Sequence, residues 1–128
     1  MKLELKHLAP YLPYGIKVFL GNTERDLTAV SIDSEFVFVT QWIGSRGKQM
    51  DGIENVKPIL KSLSECTDIN SPFLNSINAD LPIQMQICDL ANKRIGYWNC
   101  CYEAINTMCE HHIDIFGLID AGLAIDKK

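Results

Sequence analysis

Within six residues, from Cys109 to Asp114, the chain places a thiol, two imidazoles and two carboxylates: Cys109, Glu110, His111, His112 and Asp114. Thiolate, imidazole and carboxylate are the ligands of zinc sites, and a thiol beside an imidazole is the start of a nucleophilic pair. On a helix, Cys109 and His112 are three residues apart on one face and could share an ion, whereas His111 turns about 100° away. Cys101 lies about 12 Å further back along the axis, too far for ligand bonds of about 2.0–2.3 Å. Cys100 and Cys101 are neighbours that diverge around a helix, so they make no Cys-x-x-Cys pair. No His-Glu-x-x-His motif is present. A nucleophilic Cys109 would need an activated thiolate, but an apolar helix face raises a thiol pKa. His7 could reach Cys88 or Cys66, although no motif joins them. The reading is a core thiol at Cys109 and a histidine near a helix C-terminus at His112, where positive charge is favoured. No cofactor and no catalytic group are expected. Cys109 and His112 are the candidates for the alternative, a metal- or thiol-dependent enzyme.

A second stretch invites a phosphate-binding reading. Gly44 and Gly47 bracket Ser45-Arg46, but Gly47-Lys48 is followed by Gln49, so the Gly-Lys-Ser/Thr ending of a P-loop is missing. Arg46 and Lys48 could instead form a basic patch, the core of a second alternative, a nucleic-acid-binding module. The chain carries 12 Lys and Arg against 16 Asp and Glu, a net charge of −4, and such a field does not attract phosphate backbones. Nucleic acid is therefore not the expected partner. Trp42, Arg46 and Lys48 are read as a loop surface offered to another protein.

These residues must be positioned by one domain. The chain has 128 residues, 47% of them hydrophobic and 22% charged, which is ordinary globular composition with enough length for a core. Five cysteines form an odd, irregular set, Met1–Leu8 has no apolar run, and no window reaches the roughly 20 apolar residues of a membrane span. Free thiols in a cytoplasmic setting follow, with no membrane association.

The periodicity predicts an α+β fold, β-rich over 1–60 and helical over 71–126. Leu5, Leu8 and Tyr11 suit one short helical turn, which Pro10 and Pro13 should stop before an extended entry into a strand. Strands are expected at Tyr14–Leu20, Asp26–Ile32 and Glu35–Thr40, with Phe36-Val37-Phe38-Val39 the strongest signal. Short turns at Gly21–Thr23 and Asp33-Ser34 imply an antiparallel meander of three to five strands, left open or curled into a small barrel. Trp42–Gly52 reads as loop. Val56–Leu60 reads as a fourth strand, with Pro58 at an edge or bulge. Ser71-Pro72 is a helix start. Leu81–Asn92 carries both strand alternation and a helical step through Leu81, Met85 and Cys88, and length favours helix. From Trp98 through Cys101, Tyr102, Ile105, Met108 and Cys109 to His112 runs one apolar stripe, predicted to centre the core. Asp114–Gly122 reads as a second short helix with Asp114 as N-cap and Gly122 at the left-handed C-terminal position.

On these residues the chain resembles a family of small uncharacterised proteins encoded in bacterial phage and prophage regions. The similarity is carried by Leu5-Lys6-His7-Leu8-Ala9-Pro10-Tyr11-Leu12-Pro13-Tyr14-Gly15, by Lys57-Pro58-Ile59-Leu60 with Leu63-Ser64, and by His112-Ile113-Asp114-Ile115-Phe116-Gly117-Leu118-Ile119 with Gly122-Leu123-Ala124-Ile125-Asp126. Family members commonly have an aromatic residue, typically Trp, at the position of His111, which argues against an essential role for that imidazole. The resemblance implies a phage-related setting inside a host cell and carries over no functional residues. The expected function is that of a non-enzymatic accessory protein acting through protein–protein contact.

Overall fold

The computed structural model describes residues 2–41, 47–77 and 79–127. Trp42 and Arg46 lie outside the described residues. The fold is α+β, with a sheet drawn mainly from the N-terminal half and helices from the C-terminal half.

Four strands form the expected meander: β1 (Lys17–Leu20), β2 (Thr23–Val30), β3 (Phe36–Thr40) and β4 (Lys48–Gly52), each antiparallel to the next. The first hairpin pairs Leu20 with Thr23 and turns on Gly21-Asn22. Gly21 has φ 63° and Asn22 no positive φ, the pattern of a type II′ turn, which needs glycine at its first central position. A register shift between Leu27 and Ala29 makes a bulge in β2, where Thr28 bonds the Phe38 carbonyl at 2.8 Å. In β3, Val37 and Val39 are buried while Phe36 is exposed, the alternation expected of a half-buried strand.

β4 corrects the loop assigned to Trp42–Gly52. Lys-Gln-Met-Asp-Gly has little strand propensity of its own, but the free edge of β3 pairs all five residues. β5 (Val56–Leu60) returns to the far side of β1, and β6 (Ile125–Asp126) lies parallel to it. The sheet order is β4-β3-β2-β1-β5-β6, an open sheet and not a barrel. Pro58 is therefore in a penultimate strand, opposite Val18. The residues of β5 that pair with β6 are Ile59 and Leu60, so at Pro58 the strand is paired with β1 alone.

The N-terminal segment is more helical than the prolines suggested. α1 (Leu5–Leu8) runs into a 3₁₀ stretch over Ala9–Tyr14 that contains Pro13 and ends at Gly15, φ 67°. Pro10 falls in the first turn, where its missing N–H is no loss. α2 (Pro72–Ser76) starts as expected, with the Ser71 hydroxyl accepting from Leu74 N at 3.0 Å. Residues Leu81–Ala91 are helical, α3, with a buried face of Ile83, Ile87, Cys88 and Leu90; of the Leu81-Met85-Cys88 step only Cys88 is buried.

The four-turn stripe from Trp98 is overturned. Tyr97–Asn99 is a 3₁₀ turn, Cys100 and Cys101 are extended, and α4 begins only at Tyr102 and ends at Glu110. The break is held by the Gln86 side chain, whose Oε1 accepts from Cys101 N at 2.8 Å. Trp98 is consequently 74% exposed and Tyr102 79%, while Ala104, Met108 and Cys109 form the buried face of α4. Asp114–Gly122 is a set of turns, not a helix. Its capping was nonetheless correctly expected: Gly122 has φ 77°, and Leu123 N and Gly122 N close on the Leu118 and Ile119 carbonyls at 2.8 and 3.0 Å, a Schellman pattern. Among the described residues no helix is long and apolar enough to cross a membrane.

Candidate functional site

α4 ends in a Schellman motif: His112 N bonds the Cys109 carbonyl at 3.1 Å and Ile113 N bonds the Met108 carbonyl at 2.8 Å. The left-handed residue is His112, φ 56°, where glycine is the usual occupant. Its side chain accounts for the exception. Nε2 donates to the Tyr14 carbonyl at 2.8 Å and ties the end of α4 to the N-terminal segment. His112→Ala, which keeps the backbone strain and loses the bond, is expected to cost about 1 kcal/mol in urea unfolding. His112→Gly, which loses both, should stay within about 0.5 kcal/mol of wild type.

Beyond His112 the chain docks beside β5. Lys61 N bonds the His112 carbonyl at 2.7 Å, and Asp114 N bonds the Lys61 carbonyl at 2.9 Å. Tyr11, fully buried, brings its hydroxyl between Ile113 and Ile115, donating to the first carbonyl at 2.5 Å and accepting from the second N–H at 3.2 Å. Asp114 is buried, and its two oxygens accept from Leu118 N and Ile119 N, each at 2.9 Å. This carboxylate caps the turn that follows, over a longer reach than an ordinary helix N-cap.

His7 completes the cluster. It is buried, its Nδ1 accepts from Glu4 N at 3.0 Å, and its ring meets Phe116 edge-on at 5.4 Å. A ring nitrogen that accepts an N–H carries no proton, so His7 is the neutral Nε2–H tautomer. Burial chiefly, then the Lys6 charge, pushes its pKa below the usual histidine value, against Glu4 and Asp114. A folded-state pKa below the unfolded one means that the unfolded chain binds more protons. The stability from His7 is then complete above about pH 6.5 and lost as the pH falls below it. In thermal unfolding between pH 6.5 and 5, wild type should lose more melting temperature than His7→Asn, whose amide oxygen can keep the Glu4 bond without titrating.

Three segments distant in the chain are thus joined: the N-terminal one through His7, Tyr11 and Tyr14, the central one through β5, the C-terminal one through His112–Ile119 and β6. The arrangement positions backbone. Cys109 is buried and burial pushes its thiol up to about 11, while the Nε2 of His112 is committed to Tyr14. The metal candidates therefore do not converge, and the described residues hold no group of three or more His, Cys, Asp or Glu placed to bind an ion. His7 is bonded within its own helix and not to Cys66 or Cys88. Cys66 is likewise pushed up to about 11 by burial, and the Cys88 thiol bonds the Thr67 carbonyl at 3.4 Å. Lys48 lies exposed at the start of β4, opposite Thr40.

The surface holds what the periodicity concealed. Tyr97, Trp98 and Tyr102 are exposed, as are Leu81 and Met85 on α3. Trp98 ends a chain of edge-on ring contacts from the buried cluster: His7 to Phe116, Phe116 to Tyr97 at 5.1 Å, Tyr97 to Trp98 at 5.4 Å. A buried tyrosine hydroxyl usually finds a partner, and Tyr11 follows that rule once its burial is known. Nothing in the sequence marked the break at Cys100-Cys101 that turns Trp98 outward. Comparison of the chain with protein-family models, curated proteins and solved structures found no match.

Proposed function

We propose that this chain is a non-enzymatic binding protein that acts on another protein, in the phage-related, host-cytoplasmic setting its resemblance implies. The observation that carries the reading is the exposure of Trp98 and Tyr102, 74% and 79%, with Leu81 and Met85 exposed as well. Arg94 lines both the groove of Leu81 and Met85 and that of Trp98. Exposed apolar patches of this kind mark interaction surfaces, and tryptophan and tyrosine dominate binding energy where they occur in them. The proposed contact accordingly centres on Trp98 in place of Trp42. All five cysteines are free, which supports a reducing compartment.

The test replaces Trp98, or separately the 93%-exposed Ile32 in the β2–β3 connection, with a photo-crosslinking residue in cells that express the protein. A partner crosslinked from position 98 and not from 32 is then purified. Trp98→Ala should weaken its binding at least ~30-fold, the scale of a hot-spot residue. The same substitution should leave unfolding free energy within about 0.5 kcal/mol of wild type. Equal crosslinking at both positions, or binding indifferent to Trp98→Ala, would count against the proposal.

A further inference from the structure

We infer that the partner seats a short acidic peptide segment, with one apolar anchor side chain, in the groove beside Trp98; this rests on the protein-binding reading above. The groove has a volume of about 430 Å³, with Leu90, Ile95 and Ile115 among its apolar lining and Trp98 as an aromatic wall. Its charged lining residues are Lys93 and Arg94, with no carboxylate among them, in a chain whose net charge is −4. Local charge opposite to that of the whole molecule selects an anionic ligand.

Lys93 is the more telling of the two. α3 ends, like α4, in a Schellman pattern: Lys93 N bonds the Leu90 carbonyl at 3.1 Å and Arg94 N bonds the Asp89 carbonyl at 2.9 Å. Lys93 occupies its left-handed position, φ 61°. At the end of α4 the strained His112 is explained by its bond to Tyr14, whereas Lys93 makes no side-chain hydrogen bond or ion pair among the described residues. A lysine held where glycine is cheaper, with no side-chain partner among the described residues, points to a use outside the chain. Arg94 pairs with Asp89 at 3.0 Å, but both are solvent-exposed and such pairs are weak.

Trp98 is preorganised for the anchor. Its ring closes on Gly96 so tightly that a Cβ there would sit 2.5 Å from it, and Tyr97 meets it edge-on. A ring already placed loses little freedom on binding. The size of the site decides between a peptide and a folded domain. Aromatic side chains offer about 150–250 Å² each, so the groove supplies on the order of a few hundred Å². A standard interface between folded proteins needs about 800 Å² per partner. Single-stranded nucleic acid would also use rings and cations, but tracking successive phosphates takes a longer run of cations than Lys93 and Arg94 provide.

The experiment pans a displayed random-peptide library on the full chain, then measures a synthetic peptide of the enriched sequence by Trp98 fluorescence in the Trp42→Phe background. The expected consensus places Asp or Glu beside Trp, Phe or Leu. Lys93→Glu with Arg94→Glu should weaken that peptide at least tenfold, and panning on that variant should enrich Lys and Arg instead. Lys93→Gly should raise the melting temperature and still weaken the peptide, which a purely structural Lys93 would not do. A neutral or basic consensus that still needs Trp98 overturns the acidic-peptide inference and leaves the protein-binding reading standing. No consensus, or an oligothymidylate bound more tightly than any peptide through Lys93 and Arg94, also overturns it; the crosslinking at position 98 then judges the broader reading separately.

Discussion

Asp114→Ala is expected to lower the unfolding free energy by about 2–5 kcal/mol in urea denaturation, among the largest effects of any single substitution. The carboxylate is buried and takes the Leu118 and Ile119 N–H groups, one on each oxygen. Removing it orphans two backbone donors beside the buried Leu118, and each unsatisfied group costs about 1–3 kcal/mol. Folded domains hold only about 5–15 kcal/mol in total, so the variant would sit near the edge of folding. Asp114→Asn keeps one acceptor oxygen and should fall between wild type and alanine. Full stability in Asp114→Ala would mean that the 117–122 turn holds itself, and the capping role assigned to this residue would be wrong.

Tyr11→Phe should cost about 2–4 kcal/mol although it removes one oxygen and opens no large cavity. That hydroxyl serves the Ile113 carbonyl and the Ile115 N–H, both on buried residues. Phenylalanine fills the same space and satisfies neither. Combined with Asp114→Ala the loss should be less than additive, because both side chains hold the same backbone and the first substitution already frees it. Alkaline titration gives a second signature. Burial chiefly raises the Tyr11 pKa above its ordinary value, so ionisation is resisted in the fold. A raised folded-state pKa contributes stability that is present below about pH 10 and lost as the pH rises beyond it. Tyr11→Phe should flatten that alkaline limb.

The fold class was legible in the sequence because the strongest signals are local. Phe36-Val37-Phe38-Val39 alternates as a half-buried strand must, and Gly21 and Gly122 stand where positive φ is needed. β4 was not legible: its residues have no preference for a strand, and its pairing comes from an edge supplied by β3. The error at Trp98 has a different origin. Helical spacing runs unbroken from Trp98 to His112, and period alone cannot register a Gln86 side chain, distant in sequence, that holds Cys101 extended. Of the candidate site, the sequence displayed the titratable residues but not their partners. His112 and Asp114 drew attention as possible ligands, and their partners proved to be the Tyr14 carbonyl and two backbone N–H groups. The role of the Tyr11 hydroxyl was not legible, because a bond across a separation of 102 residues leaves no trace in local pattern.

That separation sets a timetable for the nascent chain. The hairpins of β1 to β4 close over short turns and can form as soon as their residues are free, since loop-closure entropy is small. The Ile113 partner of Tyr11 is made 102 residues later, and β6 follows the far edge of β5 by 66 residues, Ile125 pairing with Ile59 and Asp126 with Leu60. At synthesis rates of about 5–20 residues per second, the Tyr11 hydroxyl waits roughly 5–20 s and the β5 edge roughly 3–13 s unpaired. A β edge left open for seconds is a template for pairing with other chains. Demand for chaperones during synthesis should therefore rise when translation is slowed between β5 and residue 113, and fall when it is accelerated, with no change in the stability of the finished protein.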